Sequence, residues 1–207
     1  LKPSEITEHS AKIIKEIVCN TFSENEVLVI QGDADIAKEL VKLPFNHIFF
    51  TGSAHTAKKV LKAASENLTP VTLELGGKSP FFIDDTISLA SIVKDIVFAK
   101  CLNAGQTCLA PDYILIPESK QNEFVIEWNK AITDFYGDDI LSNTNYSGII
   151  HLKQYLRIMD IIQKSLDEGA ILNEPIQRDP GTKKIKPVLL LNSDWSHTSM
   201  LEDIFGP

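Results

Sequence analysis

The apolar positions of this chain change period many times along its length. Behind Thr7, which is placed to cap a helix, Ile13, Ile14, Ile17 and Val18 recur at helical spacing. The run Glu26–Gln31 then reads as a buried strand. Asp33 caps a second helix carrying Ile36, Leu40 and Val41, which Pro44 stops. A further buried strand, His47–Thr51, breaks at Gly52-Ser53 into a third helix with Ala57, Val60, Leu61 and Ala64 on one face. Thr72–Leu75 is extended and ends at Gly76-Gly77, where the rhythm changes and a domain boundary is expected. Pro80–Ile83 and Tyr113–Ile116 read as short strands on either side of a helix with Leu89, Ile92, Val93 and Ile96. Two amphipathic helices follow, around Phe124–Phe135 and Leu152–Leu166, and Pro187–Leu191 reads as a last strand. Apolar strands alternating with helices describe an α/β fold with mostly parallel strands.

Composition narrows the class. The 207 residues, 43% of them apolar, suffice for one large domain or slightly more. No apolar run is long enough to span a bilayer, and Leu1-Lys2-Pro3 does not open a signal peptide. The ends of the chain read as those of a piece of a longer protein. A formal net charge of -8 argues against a nucleic-acid surface while leaving room for an anionic cofactor held by a few amides and one lysine. The densest basic stretch, Lys183–Lys186, reads as a solvated turn. Three cysteines in an acidic chain point to a reducing compartment rather than a disulfide framework.

Three segments carry candidate chemistry. In Thr51-Gly52-Ser53 a strand runs straight into a helix whose first amides suit a phosphate, although a plain turn with a serine cap accounts for the same residues. Neither G-x-G-x-x-G nor the P-loop pattern occurs. Glu74 lies among apolar neighbours at a strand end, where desolvation would raise its pKa and suit it to general-base work; a salt-bridged strand-edge glutamate is the alternative. Cys108 ends the polar loop Asn103–Cys108, where backbone amides can activate a thiolate. Cys19 and Cys101 fit instead as small buried apolar groups. No histidine lies near Cys101 or Cys108 in sequence, and their spacing is not a zinc pattern, so no metal site is expected.

Taken together these motifs resemble the aldehyde dehydrogenase superfamily. Lys2-Pro3-Ser4-Glu5 is similar to its cofactor-ribose motif, Phe49–Ser53 to its pyrophosphate turn, Glu74–Pro80 to its glutamate signature, Asn103–Cys108 to its cysteine signature and Glu202–Pro207 to its nicotinamide-ribose motif. Their order, and the interval from Glu74 to Cys108, are the family's. Thr69–Leu73 and Ala110–Tyr113 look most like the class 3 and fatty-aldehyde branch. The departures are Ala57, where the family usually has glycine, and Asp203, where it has glutamate.

The resemblance implies a partial Rossmann-like parallel sheet followed by an α/β catalytic domain: residues 1–77 as the second half of an NAD(P)-binding domain and 78–207 as most of a catalytic domain. It implies NAD-dependent oxidation of a medium or long aliphatic, or aromatic, aldehyde to an acid, with NADP as the other cofactor and Glu5 mildly favouring NAD. Cys108 would be the nucleophile and Glu74 the base. Lys2 and Glu5 would hold the adenosine ribose, Gly52 and Ser53 the pyrophosphate, the Leu75 carbonyl the nicotinamide amide, and Asp203 with Phe205 the nicotinamide ribose. It further implies an intracellular homodimer, cytoplasmic or held at a membrane through segments outside this chain. Two other readings stand beside this one: a relative that passes the acyl group to CoA, against which Glu74 argues, and a non-catalytic module that keeps the fold.

Overall fold

A computed structural model describes residues 1–207, which divide into two compact units, Leu1–Leu75 and Gly76–Pro207. In the first, a single helical turn capped by Ser4 leads into α1 (Glu8–Thr21). Thr7 sits at the cap position of α1, but its side chain makes no capping bond; its hydroxyl donates to Ser4 O at 3.4 Å instead. Only Ala11 and Val18 of α1 are buried, and Ile13, Ile14 and Ile17 are exposed.

Glu26–Gln31 forms no strand. Glu26 and Val27 close a turn on Ser23 O, and beyond it the backbone meets only Leu1, whose ammonium donates to Leu28 O at 2.6 Å and whose carbonyl accepts from Ile30 N–H at 2.9 Å, too little for a ladder. The Asp33 carboxylate accepts from the amides of Asp35 and Ile36 and starts α2 (Ala34–Leu40). Next come β1 (Ile48–Gly52), α3 (Ala54–Ala64) and β2 (Val71–Leu75). The two strands pair in parallel through Ile48↔Val71 to Gly52↔Leu75, which sets Thr51 opposite Glu74. A parallel pair needs a crossover, and α3 supplies it, burying Ala57, Val60 and Ala64. The faces of β1 and β2 alternate, so Phe49 is 66% exposed while Ile48 and Phe50 are half-buried.

The second unit begins with β3 (Pro80–Phe82), α4 (Leu89–Cys101), β4 (Tyr113–Leu115), α5 (Gln121–Tyr136) and α6 (Leu152–Asp167). It continues through the two-residue strands β5 (Ile171–Leu172), β6 (Arg178–Asp179), β7 (Lys184–Ile185) and β8 (Leu190–Leu191) to α7 (Thr198–Leu201). β3 and β4 are parallel, whereas β5–β8 and β6–β7 are antiparallel, so parallel and antiparallel pairs are equal in number. The expected strand over Pro187–Leu191 is confined to its last two residues, because only these have a partner on β5.

The core of this unit is formed by α4, α5 and α6 with Val97, Trp128, Tyr155, Ile158 and Ile185. Phe124 and Trp128, one helical turn apart, stack with centroids 6.1 Å apart. Lys183–Lys186 is not a solvated turn. Ile185 is fully buried, Lys184 Nζ donates to the carbonyls of Leu141 and Asn143, and Lys186 pairs with Glu174 at 2.7 Å. The Tyr146 hydroxyl, also buried, donates to Ile185 O at 2.7 Å. Tyr146→Phe leaves that carbonyl unpaired, and urea unfolding should register a loss of about 1–3 kcal/mol. No helix is long and apolar enough to cross a membrane.

Candidate active site

The loop that carries Cys108 is held in an unusual backbone conformation. After α4 the chain turns through Asn103, Ala104 and Gly105, all with positive φ (51°, 53° and 73°). Left-handed non-glycine residues cost about 1–3 kcal/mol each and persist only where their surroundings enforce them. Here Gln106 does so from a buried position. Its amide nitrogen donates to Asn103 O at 2.8 Å and Gly148 O at 3.2 Å, and its oxygen accepts from Ile150 N–H at 2.9 Å. Asn103 Nδ2 returns a bond to Gln106 O at 3.1 Å. Gly105 could carry no side chain, since a Cβ there would run into the carbonyl oxygen of Gly206. Backbone contact thus joins the cysteine loop to the Glu202–Pro207 segment. Cys108 emerges exposed, and the Ser79 hydroxyl donates to its carbonyl at 3.5 Å.

The three thiols differ in their surroundings. Cys101 is buried in the core, and burial pushes its pKa up to about 12, so it stays protonated and inert. Cys19, expected inside, is exposed, because α1 turns only Ala11 and Val18 inward. In the native state iodoacetamide at neutral pH should therefore label Cys19 and Cys108 and spare Cys101 until denaturant is added; mass spectrometry of the labelled peptides checks this.

The second half of the site is a charged cluster around Asp203 and Phe205. Asp203 is half-buried. Burial first, and the nearby Asp112 charge second, raise its pKa above the usual aspartate value. One of its oxygens accepts from Phe205 N–H at 3.0 Å and the other faces Gly76, where a Cβ would collide with it. Phe205, at φ 46°, is 37% exposed. Asp112, its side chain 3% exposed, is paired with Lys78, whose ammonium also donates to Ser199 O at 2.7 Å and Glu202 O at 3.2 Å.

In the first unit Lys2 and Glu5, expected to hold a ribose, pair with each other at 3.0 Å. Glu5 is held below the usual carboxylate range by its own backbone amide first and by Lys2 second. The Ser53 hydroxyl accepts from Thr56 N–H at 3.3 Å, so it is the N-cap of α3. The remaining first-turn amides of α3 lack intrahelical partners, as at any helix start, and favour an anion. Glycine at 52 has a local reason: a Cβ there would meet the Phe50 ring at 2.7 Å. The Ala57 methyl is buried rather than projecting at the helix start. Strand pairing sets Leu75, the last residue of β2, beside Gly52. Glu74 is exposed, not desolvated as its apolar neighbours suggested, because alternation along β2 turns it to the open face of the sheet.

Sequence reasoning missed Arg157 and Gln106. Besides a neighbour three residues back, each has partners more than forty residues away, at Glu202–Ile204 and at Gly148–Ile150, and no local pattern announces such contacts.

A profile of the aldehyde dehydrogenase family matches residues 1–207. The chain is 40% identical, over its whole length, to the 4,4'-diaponeurosporen-aldehyde dehydrogenase of Staphylococcus aureus and covers 44% of that protein. It is 39% identical to aldehyde dehydrogenase family 3 member A2 of Pongo abelii, again over all of this chain and 42% of the relative. Among solved structures, Mycobacterium tuberculosis aldehyde dehydrogenase complexed with NAD+ superimposes with a TM-score of 0.88 at 31% identity, over the whole chain and 44% of the other. The chain therefore spans less than half the length of the relatives it matches.

Proposed function

The chain belongs to the aldehyde dehydrogenase family, and from that premise we propose that the full-length protein oxidises an aldehyde to a carboxylic acid with NAD as cofactor, Cys108 being the nucleophile and Glu74 the base. The observation that carries this reading is the exposed Cys108 at the end of a loop locked by Gln106 and lying, backbone to backbone, against Gly206, the residue that follows Asp203–Phe205.

The cofactor suits the residues present. The Ser53-capped start of α3 favours a pyrophosphate, and the half-buried Asp203 carboxylate, beside a bare glycine backbone, suits the hydroxyls of a ribose. Held by these residues, NAD would supply the acceptor for the hydride of the substrate carbon. Cys108 does the rest of the first half-reaction: its thiolate forms the C–S bond to the carbonyl carbon, and its backbone N–H donates to the oxyanion. Tethering the substrate makes hydride loss intramolecular. Glu74 then takes a proton from water as that water attacks the resulting thioester, the C–S bond breaks, and acid and thiolate are released. Residues 1–77 belong in this reading to the cofactor domain and 78–207 to the catalytic domain.

A medium or long aliphatic, or an aromatic, aldehyde as substrate draws support from relatives named for diaponeurosporen-aldehyde and for coniferyl aldehyde, and a homodimer as the working form from the dimeric, NADP-preferring aldehyde dehydrogenase of Mus musculus. Incubation of the full-length protein with hexanal and NAD should generate reduced nicotinamide, followed by its absorbance, together with hexanoate. Acyl-CoA formed only when CoA is present would replace the hydrolytic reading with acyl transfer, and no oxidation of any aldehyde would end both.

A further inference from the structure

The segment that carries Asp203 and Phe205 has no regular secondary structure to hold it. From Glu202 to Pro207 the chain belongs to no helix or strand, and Phe205 is left-handed. Side chains from elsewhere grip it instead. The N–H of Ile204, between the two residues of interest, donates to Asp112 Oδ2 at 3.0 Å. Its carbonyl accepts from Arg157 Nη2 at 2.6 Å. Arg157 Nη1 adds bonds to Asp203 O and to the Glu202 carboxylate, each at 3.1 Å. Arg157 Nε is anchored on Gln154, one turn back on α6, at 2.6 Å. Both polar groups of one residue's backbone are therefore clamped by side chains, one from the loop before β4 and one from α6.

A guanidinium suits this task and an ammonium does not. Its planar fork aims several N–H groups at once in fixed directions, here at two successive carbonyls, whereas a lysine presents a single flexible point. The clamp ends on the backbone, so it sets where the Asp203 carboxylate and the Phe205 ring stand without touching either side chain. Arg157 itself lies outside the apolar core, its side chain 28% exposed.

We infer that Arg157 is a positioning residue, which, with Asp112, holds Asp203 and Phe205 in the geometry that receives the nicotinamide-ribose end of the cofactor. The inference rests on the functional reading above and adds to it a residue outside every motif legible in the sequence. A misplacement of about 1 Å far from the reacting atoms can cost on the order of 10²-fold in rate. The loss should fall on hydride transfer, while the thiol of Cys108, fixed by Gln106, keeps its reactivity.

The test compares wild type, Arg157→Ala and Arg157→Lys in the full-length protein, with Lys153→Ala as a control on the same helix, where Lys153 is exposed. Without cofactor, hydrogen–deuterium exchange of Asp203–Gly206 should quicken in Arg157→Ala and stay as in wild type in the control. Alkylation of Cys108 should keep its wild-type rate in all four. With NAD and hexanal, kcat of Arg157→Ala should fall by about 10- to 10²-fold with the aldehyde KM unchanged. An isotope effect from 1-deuterated hexanal should grow as hydride transfer becomes limiting, and Arg157→Lys should recover part of the loss. Unchanged exchange at Asp203–Gly206, or equal losses of Cys108 alkylation and kcat, would overturn the assignment of Arg157 alone. A wild type that neither binds NAD nor oxidises aldehydes would overturn the functional reading and the role of Arg157 with it.

Discussion

Cys108→Ser should abolish aldehyde oxidation, lowering kcat by on the order of 10⁴-fold or more. A serine hydroxyl has almost the size of the thiol but stays protonated at neutral pH, so no anionic nucleophile is available to form the covalent bond to the substrate. The side chain is exposed and makes no core contact, so thermal unfolding should move by no more than about 0.5 kcal/mol of stability. Dinucleotide binding should also persist, because the groups assigned to it lie elsewhere. A serine variant that retains a tenth of wild-type turnover would remove Cys108 from the chemistry and leave its strained loop as a structural device.

Glu74→Gln should separate the two halves of the reaction. Glutamine keeps the shape of the side chain but cannot accept a proton from water, which should slow thioester hydrolysis by about 10²- to 10⁴-fold while acylation continues. Rapid mixing with hexanal and NAD should then show a stoichiometric burst of reduced nicotinamide followed by a slow steady state. Because Glu74 is exposed on β2 and takes part in no ion pair, its substitution should leave stability intact. Equal slowing of burst and steady state would assign Glu74 a part in binding rather than in proton transfer.

Much of the fold and of the candidate site is legible along the chain wherever a signal is local. The helices α1 to α6 follow from apolar spacing and, at α2 and α3, from the capping residues Asp33 and Ser53. β1 to β4 follow from short apolar runs bounded by glycine, proline or charged residues. The cysteine loop is recognisable from its motif and polarity, and Cys101 is correctly placed in the core by the apolar surroundings of α4. The failures share one cause. Glu26–Gln31 has the composition of a strand but lacks a ladder to join. Cys19 and the isoleucines of α1 have a helical period, yet period alone does not say how much of a helix is covered. Lys183–Lys186 carries charge that suggests water, but its ammonium groups find carbonyls and a carboxylate.

What the sequence by itself determined, then, is the order of α1 to α6 and β1 to β4 and the α/β class, and it nominated Cys108 and Glu74 for the chemistry, because periodicity, caps and motifs are written into neighbouring residues. Only the tertiary structure decided that Gln106 locks the cysteine loop, that Gly105 lies against Gly206, and that Arg157 and Asp112 hold the Asp203–Phe205 segment from both sides. Such contacts join residues distant in the chain. Hydrogen-bond geometry selects them only after the intervening elements have packed, and no local pattern of polar and apolar positions encodes that geometry.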